Sequence, residues 1–224
     1  MIRNVIFDMD GLMFDTERLY VRALEEYVGP KTGVSFPREN VLRTLGCNHA
    51  DFERLFPELF GTAISSAECT VLVTEWMTKE IEAYGVPVKP GLFPLLDALK
   101  AAGVRIALAT GTSRPIALEY LKRTDTLKYF DAFAFGDQVT HGKPDPEIFL
   151  LACNALCGTP ETTAVFEDSV NGLKAAYEGG FFSICVPDLI DPLPRLDFTP
   201  DAVFRSLDEA IPLLLSKKGT PAAD

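Results

Sequence analysis

Short apolar runs alternate along the chain with longer stretches in which apolar residues recur every three or four positions. Asn4–Phe7, Val104–Ala109, Ala132–Phe135, Ala164–Phe166, Phe182–Val186 and Ala202–Phe204 read as strands. Helical patterns lie between them near Pro94–Ala102, Pro115–Arg123, Glu147–Cys157 and Asn171–Glu178, and a closing helix covers about Ser206–Leu215. This alternation predicts strand–helix–strand units and an α/β fold with a parallel sheet. Thr16 to Tyr84 breaks the rhythm and reads as helices alone: Glu17–Val28, Arg38–Leu45, Ala50–Phe56 and Ser66–Tyr84. The segment from Gly85 to Gly91, with two prolines, reads as a linker back to the sheet. The expected organisation is therefore a sheet core from residues 1–15 and 88–224, with an all-helical insertion at 16–87. An insertion after the first strand is expected to act as a lid over the strand exits.

Ligands of open parallel sheets bind beyond the carboxyl ends of the strands. Four of these exits carry chemistry. Asp8 and Asp10, with Gly11 after them, leave the first strand two positions apart, a spacing that turns both carboxylates to one side. The bland reading of Asp-Met-Asp-Gly is a solvated turn. A calcium loop does not fit, because the fifth and sixth positions are Leu12 and Met13 rather than an oxygen ligand and glycine. Thr110-Gly111-Thr112 offers a hydroxyl and small-residue amides for a phosphate, or else a helix cap before Pro115. Lys143 stands between Gly142 and Pro144 on what reads as a rigid loop; most loop lysines are merely solvated. Glu167 and Asp168 either cap the following helix or complete an oxygen cage with the first pair, suited to a hard cation such as Mg²⁺.

Composition narrows the partners. The 224 residues carry 21 Lys and Arg against 32 Asp and Glu, a net charge of −11, which disfavours nucleic acid and anionic membranes. A hydrophobic content of 47% fills a substantial core, and no apolar run approaches membrane-spanning length. The five cysteines are odd in number and scattered, which reads as buried free thiols in a reducing, cytoplasmic compartment. A monomer is the default for a chain whose lid must swing.

Taken in order and spacing, Asp8-x-Asp10-Gly11, Thr110, Lys143 and Glu167-Asp168 resemble the four motifs of the haloacid dehalogenase-like hydrolases. The stretches FDMDGLMFDTE, GKPDPEIF and FEDSVNGLKAA are similar to the branch holding β-phosphoglucomutase and sugar-phosphate phosphatases. The resemblance implies a Rossmann-like core with a helical cap. It implies Asp8 as a nucleophile that becomes an aspartyl-phosphate, and Asp10 as general acid and then base, with its backbone carbonyl on Mg²⁺. Thr110, Gly111 and Thr112 would hold the phosphate, Lys143 would steady nucleophile and phosphate, and Asp8, Asp10, Glu167 and Asp168 would form the metal site. Asp15, Arg114 and the cap residue His49 are candidate substrate contacts; their bland readings are an N-cap, a solvated arginine and an ordinary lid residue.

Asp10 favours phosphoryl transfer over carbon–halogen cleavage. Schiff-base phosphonate cleavage would need a lid lysine, and none occurs between Lys31 and Lys79. A phosphosugar mutase needs a cationic second phosphate site, yet the cap segment where the resembling mutases carry lysine and arginine has Leu45 and His49, with Arg43 alone retained. The expectation is a Mg²⁺-dependent phosphatase of a small phosphorylated metabolite, a sugar or polyol phosphate. The mutase and a non-catalytic sugar-phosphate binder remain as alternatives.

Overall fold

A computed structural model of the chain describes residues 2–47 and 49–216. In chain order the elements are β1 (Asn4–Phe7), α1 (Thr16–Ala23), α2 (Gly29–Thr32), α3 (Arg38–Leu42), α4 (His49–Phe60) and α5 (Ser66–Tyr84). They continue with α6 (Leu92–Ala101), β2 (Arg105–Thr110), α7 (Arg114–Arg123), β3 (Ala132–Phe135), α8 (Glu147–Ala155) and β4 (Thr163–Glu167). Last come α9 (Val170–Glu178), β5 (Phe182–Cys185), β6 (Ala202–Val203) and α10 (Ile211–Ser216). The chain separates into two compact units, Met1–Met13 with Val88–Asp224, and Phe14–Pro87. Phe14 and Asp15 thus fall with the helices rather than with the sheet. The Asp15 amide donates to the Pro87 carbonyl at 2.9 Å, and its carboxylate pairs with Arg18 at 2.6 Å.

The first unit holds one six-stranded, wholly parallel sheet of order β3-β2-β1-β4-β5-β6. A parallel sheet covered on both faces needs strands that are apolar throughout, and every residue of β1 and β4 is buried. On one face Ile6, Ala107, Ala109, Ala134 and Val165 pack with Ile148, Phe149 and Ala152 of α8. On the other, the Phe7 and Phe166 rings stack at 5.0 Å across the β1–β4 pair. Connections run from β1 outward to β3 on one side and from β4 outward to β6 on the other. The order reverses between β1 and β4, the switch point at which such sheets leave a crevice beyond their carboxyl ends.

Strand limits differ from the sequence reading by one residue at most at either end. β2 starts at Arg105 and takes in Thr110, because Thr110 pairs with Phe135 of β3. β4 takes in Glu167, which pairs with Cys185.

The second unit is helical. Ser65 caps α5 in a reciprocal box with Glu68, which fixes its start at Ser66. The expected helix Glu17–Val28 is α1 followed by a π-type turn over Leu24–Val28. The turn continues into α2, which Gly33 ends at φ 73°. The segment expected as Arg38–Leu45 stops at Leu42 and passes into a turn containing Gly46 at φ 67°. The helix expected as Ala50–Phe56 is α4, which runs on through Pro57 to Phe60. The Phe56 ring stands 5.1 Å from Phe60 and 5.5 Å from Phe52, and Phe36 lies 4.9 Å from Phe60. Aromatic burial of this kind offsets the missing amide. Trp76 is half-buried under the Arg22 guanidinium at 5.0 Å. Among the described residues no helix is long and apolar enough to cross a membrane.

The Phe7–Phe166 stack ties the two strands that flank the switch point. Phe166→Ala is expected to destabilise the sheet unit by about 3–5 kcal/mol in urea unfolding; a loss under about 1 kcal/mol would show that the neighbours collapse into the space.

Candidate active site

Strands β2, β1 and β4 are neighbours, so their ends deliver Thr110, Asp8 and Glu167 side by side. Asp8 is the first residue beyond β1, and its amide still donates to the Phe166 carbonyl at 3.1 Å. Lys143 reaches in from the loop after β3. Its Nζ donates to Asp8 Oδ1 and to Glu167 Oε1, each at 2.5 Å, and to the Ala109 carbonyl at 3.3 Å. The Phe149 ring lies 4.7 Å beneath the ammonium. This lysine is buried and paired, not solvated.

The loop that carries it is pinned by its own acids. Glu147, at the start of α8, accepts from the amides of Thr140 at 3.0 Å and His141 at 2.8 Å. Asp145 in turn accepts from the Glu147 amide at 2.9 Å.

Glu167 Oε1 takes the lysine. Its Oε2 accepts from the Asp168 amide at 3.0 Å, the Ser169 amide at 3.1 Å and the Ser169 hydroxyl at 2.9 Å. Ser169 also caps α9 by accepting from the Gly172 amide at 3.0 Å. A Cβ on Gly172 would stand 1.9 Å from the Glu167 carboxylate, so only glycine lets this helix start so close to the acid. Across the site, a Cβ on Gly136 would meet the Gly111 carbonyl at 2.0 Å, which fixes the approach of the loops after β2 and β3. Glu147, Ser169, Gly136 and Gly172 are positioning residues to which the sequence reading gave no role of their own. Only Ser169 carried a usable signal, as a serine directly before the first helical residue.

Asp10 faces the β2 exit. Thr112 Oγ1 donates to its Oδ2 at 2.6 Å, and Thr110 Oγ1 lies 3.4 Å from the same oxygen. The Thr110 hydroxyl accepts the Thr112 amide at 3.0 Å. Thr112 is therefore a partner of the acid and not a helix cap, and the Ser113 side chain caps nothing either.

Asp8, Glu167 and Asp168 are all buried and place carboxylate oxygens within 4.8 Å of one another. The Asp10 carboxylate stands apart from this group, held by the threonines, so an Asp10 contribution to a metal would have to come from its main chain. Three buried carboxylates with one lysine between two of them leave excess negative charge in a dry setting. That all-oxygen donor set fits a small hard dication such as Mg²⁺, bound chiefly by Asp8 and Asp168, since Glu167 is already occupied by protein donors.

Without such an ion, burial pushes the Asp8 carboxyl up to about 7, against the pull of Lys143 and with added repulsion from Glu167 and Asp10. Burial opposes the charge on Lys143 as well, but attraction to Asp8 and Glu167 outweighs it and holds the ammonium above the usual lysine range.

Asp15 is engaged with Arg18 and makes no side-chain cap to α1. The Arg114 guanidinium stacks on Phe135 at 5.6 Å, and its amide donates to Asp137 at 3.3 Å. The side chain of His49 lies outside the described residues.

A family model described as haloacid dehalogenase-like hydrolase matches residues 2–180. The Thermotoga maritima phosphorylated carbohydrates phosphatase is 38% identical over 176 residues, covering 79% of this chain and 81% of that protein. A Thermotoga maritima crystal structure provisionally named a β-phosphoglucomutase superposes with TM-score 0.77 at 33% identity, over 96% of this chain and 100% of that one. The structure of CbbY from Rhodobacter sphaeroides with phosphate gives TM-score 0.77 at 28% identity, over 94% and 96% of the two chains.

Two measurements test the geometry. Gly172→Ala pushes a methyl into Glu167 and leaves Lys143 imperfectly paired, so urea unfolding should show a loss of about 3 kcal/mol; unchanged stability would show that α9 gives way. For Asp8, a folded pKa raised above the unfolded value means that the native state holds the extra proton between roughly pH 4 and pH 7. This group should therefore lower metal-free stability as pH rises through that window. Millimolar Mg²⁺ should reverse the trend, giving a larger thermal shift at pH 8 than at pH 5.5. A shift that is equal at both pH values would count against Asp8 as a ligand.

Proposed function

The chain belongs to the haloacid dehalogenase-like hydrolases, and within that family we propose that it is a Mg²⁺-dependent phosphatase of a small sugar or polyol phosphate. The observation that carries this reading is the buried Lys143 ammonium bridging Asp8 and Glu167 beside Asp168, with Asp10 poised separately on Thr112. A solvated turn or a pair of helix caps would not bury three carboxylates around one cation. A binder that had lost catalysis would not need a nucleophile and an acid kept apart.

In this mechanism an Asp8 carboxylate oxygen attacks phosphorus and forms the aspartyl-phosphate as the bond to the leaving oxygen breaks. Asp10 gives its proton to that oxygen. Water then attacks phosphorus, its proton returns to Asp10, and the bond to Asp8 breaks to release phosphate. Thr112 holds the Asp10 carboxyl in one orientation through both steps. Lys143 and the Thr110 hydroxyl stabilise charge on the phosphoryl oxygens, so positioning and electrostatics supply the rate. A Mg²⁺ ion held by Asp8, Asp168 and the Asp10 main chain would supply a further positive charge at the phosphoryl group.

Residues Phe14–Pro87 take the role of the cap in this reading. Hydrolysis is preferred to mutase action on a feature of that unit. Arg43, the lone cation in the segment up to His49, is half-exposed and lies 3.5 Å from Glu58, so its charge is already balanced. A second phosphate group in a closed site would need charge-assisted partners that this segment does not offer.

Release of phosphate from p-nitrophenyl phosphate should require Mg²⁺ and fall by at least about 10³-fold in Asp8→Asn. Asp10→Asn should lose most activity toward sugar phosphates, whose poor leaving groups need a proton, and far less toward the nitrophenyl ester. Conversion of β-glucose 1-phosphate to glucose 6-phosphate without net phosphate release would instead make the enzyme a mutase. Full activity in Asp8→Asn would overturn the mechanism.

A further inference from the structure

The mechanism leaves one buried ion pair unused. Lys89 Nζ donates to the Asp188 carboxylate in the sheet unit, with the two side chains 14% and 1% exposed. Neither residue belongs to the four strand-exit motifs. Asp188 lies three residues beyond β5, in a segment tied to the end of β4 by the Val186 amide, which donates to the Glu167 carbonyl at 2.8 Å. Its carboxylate comes within 4.8 Å of that of Asp168.

Lys89 lies where the chain re-enters the sheet unit. Its amide donates to the Met13 carbonyl at 2.9 Å, and Met13 is the last residue of that unit before the chain leaves it. The backbone just after Lys89 is firmly held. Gly91 sits at φ 81°, and a Cβ there would lie 2.3 Å from Asp208 Oδ1. Lys89 is thus a half-buried cation on a fixed stretch of main chain, aimed at an acid that neighbours the metal-site acid.

A buried ion pair gains little stability over a well-packed apolar replacement. The position of its charges is the better account of this one. Two like charges as close as Asp168 and Asp188 would repel strongly where water is excluded, and a cation on the far acid removes that repulsion.

We propose that the Lys89–Asp188 pair positions Asp168 and sets the charge around it, so that the affinity of the acidic cluster for Mg²⁺ depends on both members of the pair. The inference rests on the metal reading given above. Lys89 cancels Asp188, so that Asp188 adds no net charge beside the ion site of Asp8 and Asp168. It also anchors the re-entering chain beside the site. Loss of Asp188 leaves the Lys89 charge unbalanced next to Asp168 and weakens binding. Loss of Lys89 frees an additional carboxylate beside Asp168 and strengthens it.

Mg²⁺ titrations followed by calorimetry and by thermal shift, at pH 8 on the intact chain, separate these effects from mere structural support. Asp188→Asn should raise the Kd for Mg²⁺ on the order of tenfold, and Lys89→Met should lower it by about threefold or more. The swapped variant Lys89→Asp with Asp188→Lys retains an ion pair but turns its cation toward Asp168. It should bind Mg²⁺ at least about tenfold more weakly than the native protein, and it remains informative if a single variant fails to fold. Shifts of both single variants in the same direction, or native affinity in the swapped variant, would overturn the proposal. Asp168→Asn separates the two failures. If it abolishes Mg²⁺ binding while the pair variants behave as mere structural losses, the metal reading stands and this inference alone falls. If it binds Mg²⁺ as the native chain does, both fall.

Discussion

One ammonium group organises this protein. Lys143 is the cation that lets Asp8 and Glu167 share a buried space, and it does so at 2.5 Å from each. Carboxylates removed from water and left facing one another would take up protons or drive the strand ends apart. With the lysine between them, β1 and β4 end side by side and the sheet can close its core beneath. The ring of Phe149 under the ammonium and the carbonyl of Ala109 beside it confine the lysine to this position. Its loop is held in turn by Glu147 and Asp145 through main-chain amides.

The sheet decides which residues can meet at that point. With the order β3-β2-β1-β4-β5-β6, the middle strands come from opposite ends of the chain. Their exits flank the reversal of strand order, where sheets of this kind leave a crevice. Apolar strands are what allow the exits to be polar. Phe7, Phe166, Ile6 and Val165 bury both faces, and the first residues past them carry the charges. Asp10 is turned aside by Thr112, so Asp8 and Asp10 answer to different neighbours. Two carboxylates of one tetrapeptide are thereby given separate surroundings.

The lysine does not balance the site completely. Burial pushes the Asp8 carboxyl up to about 7 even with the ammonium in contact, because Glu167 and Asp10 add repulsion to desolvation. This residual excess of negative charge suits the acids to a small hard dication. Glu167 serves mainly to hold shape, taking the lysine on one oxygen and the start of α9 on the other. The Lys89–Asp188 pair extends the same logic one neighbour outward, to the acid beside Asp168.

The order of strands and helices, the helical insertion and the strand-exit residues could all be read from the chain. Each rests on a local pattern: apolar runs of strand length, a helical period, and charged or glycine-rich residues where a run stops. Strand ends could not be read to the residue, since Thr110 and Glu167 belong to strands through pairing with Phe135 and Cys185. The continuation of α4 through Pro57 was hidden for a similar reason, as the Phe36 ring that packs on Phe60 comes from outside the helix. The stacking of Arg114 on Phe135 joins residues from the exits of β2 and β3, which only the folded sheet brings together. The need for glycine at 136 and 172 and the pairing of Lys89 with Asp188 depend on how closely distant backbones approach. Local sequence thus determined the elements and the chemical types at their ends, because secondary structure and turns answer to neighbours a few residues away. Tertiary structure alone decided which charges face each other, because at these distances a shift of one ångström changes who pairs with whom.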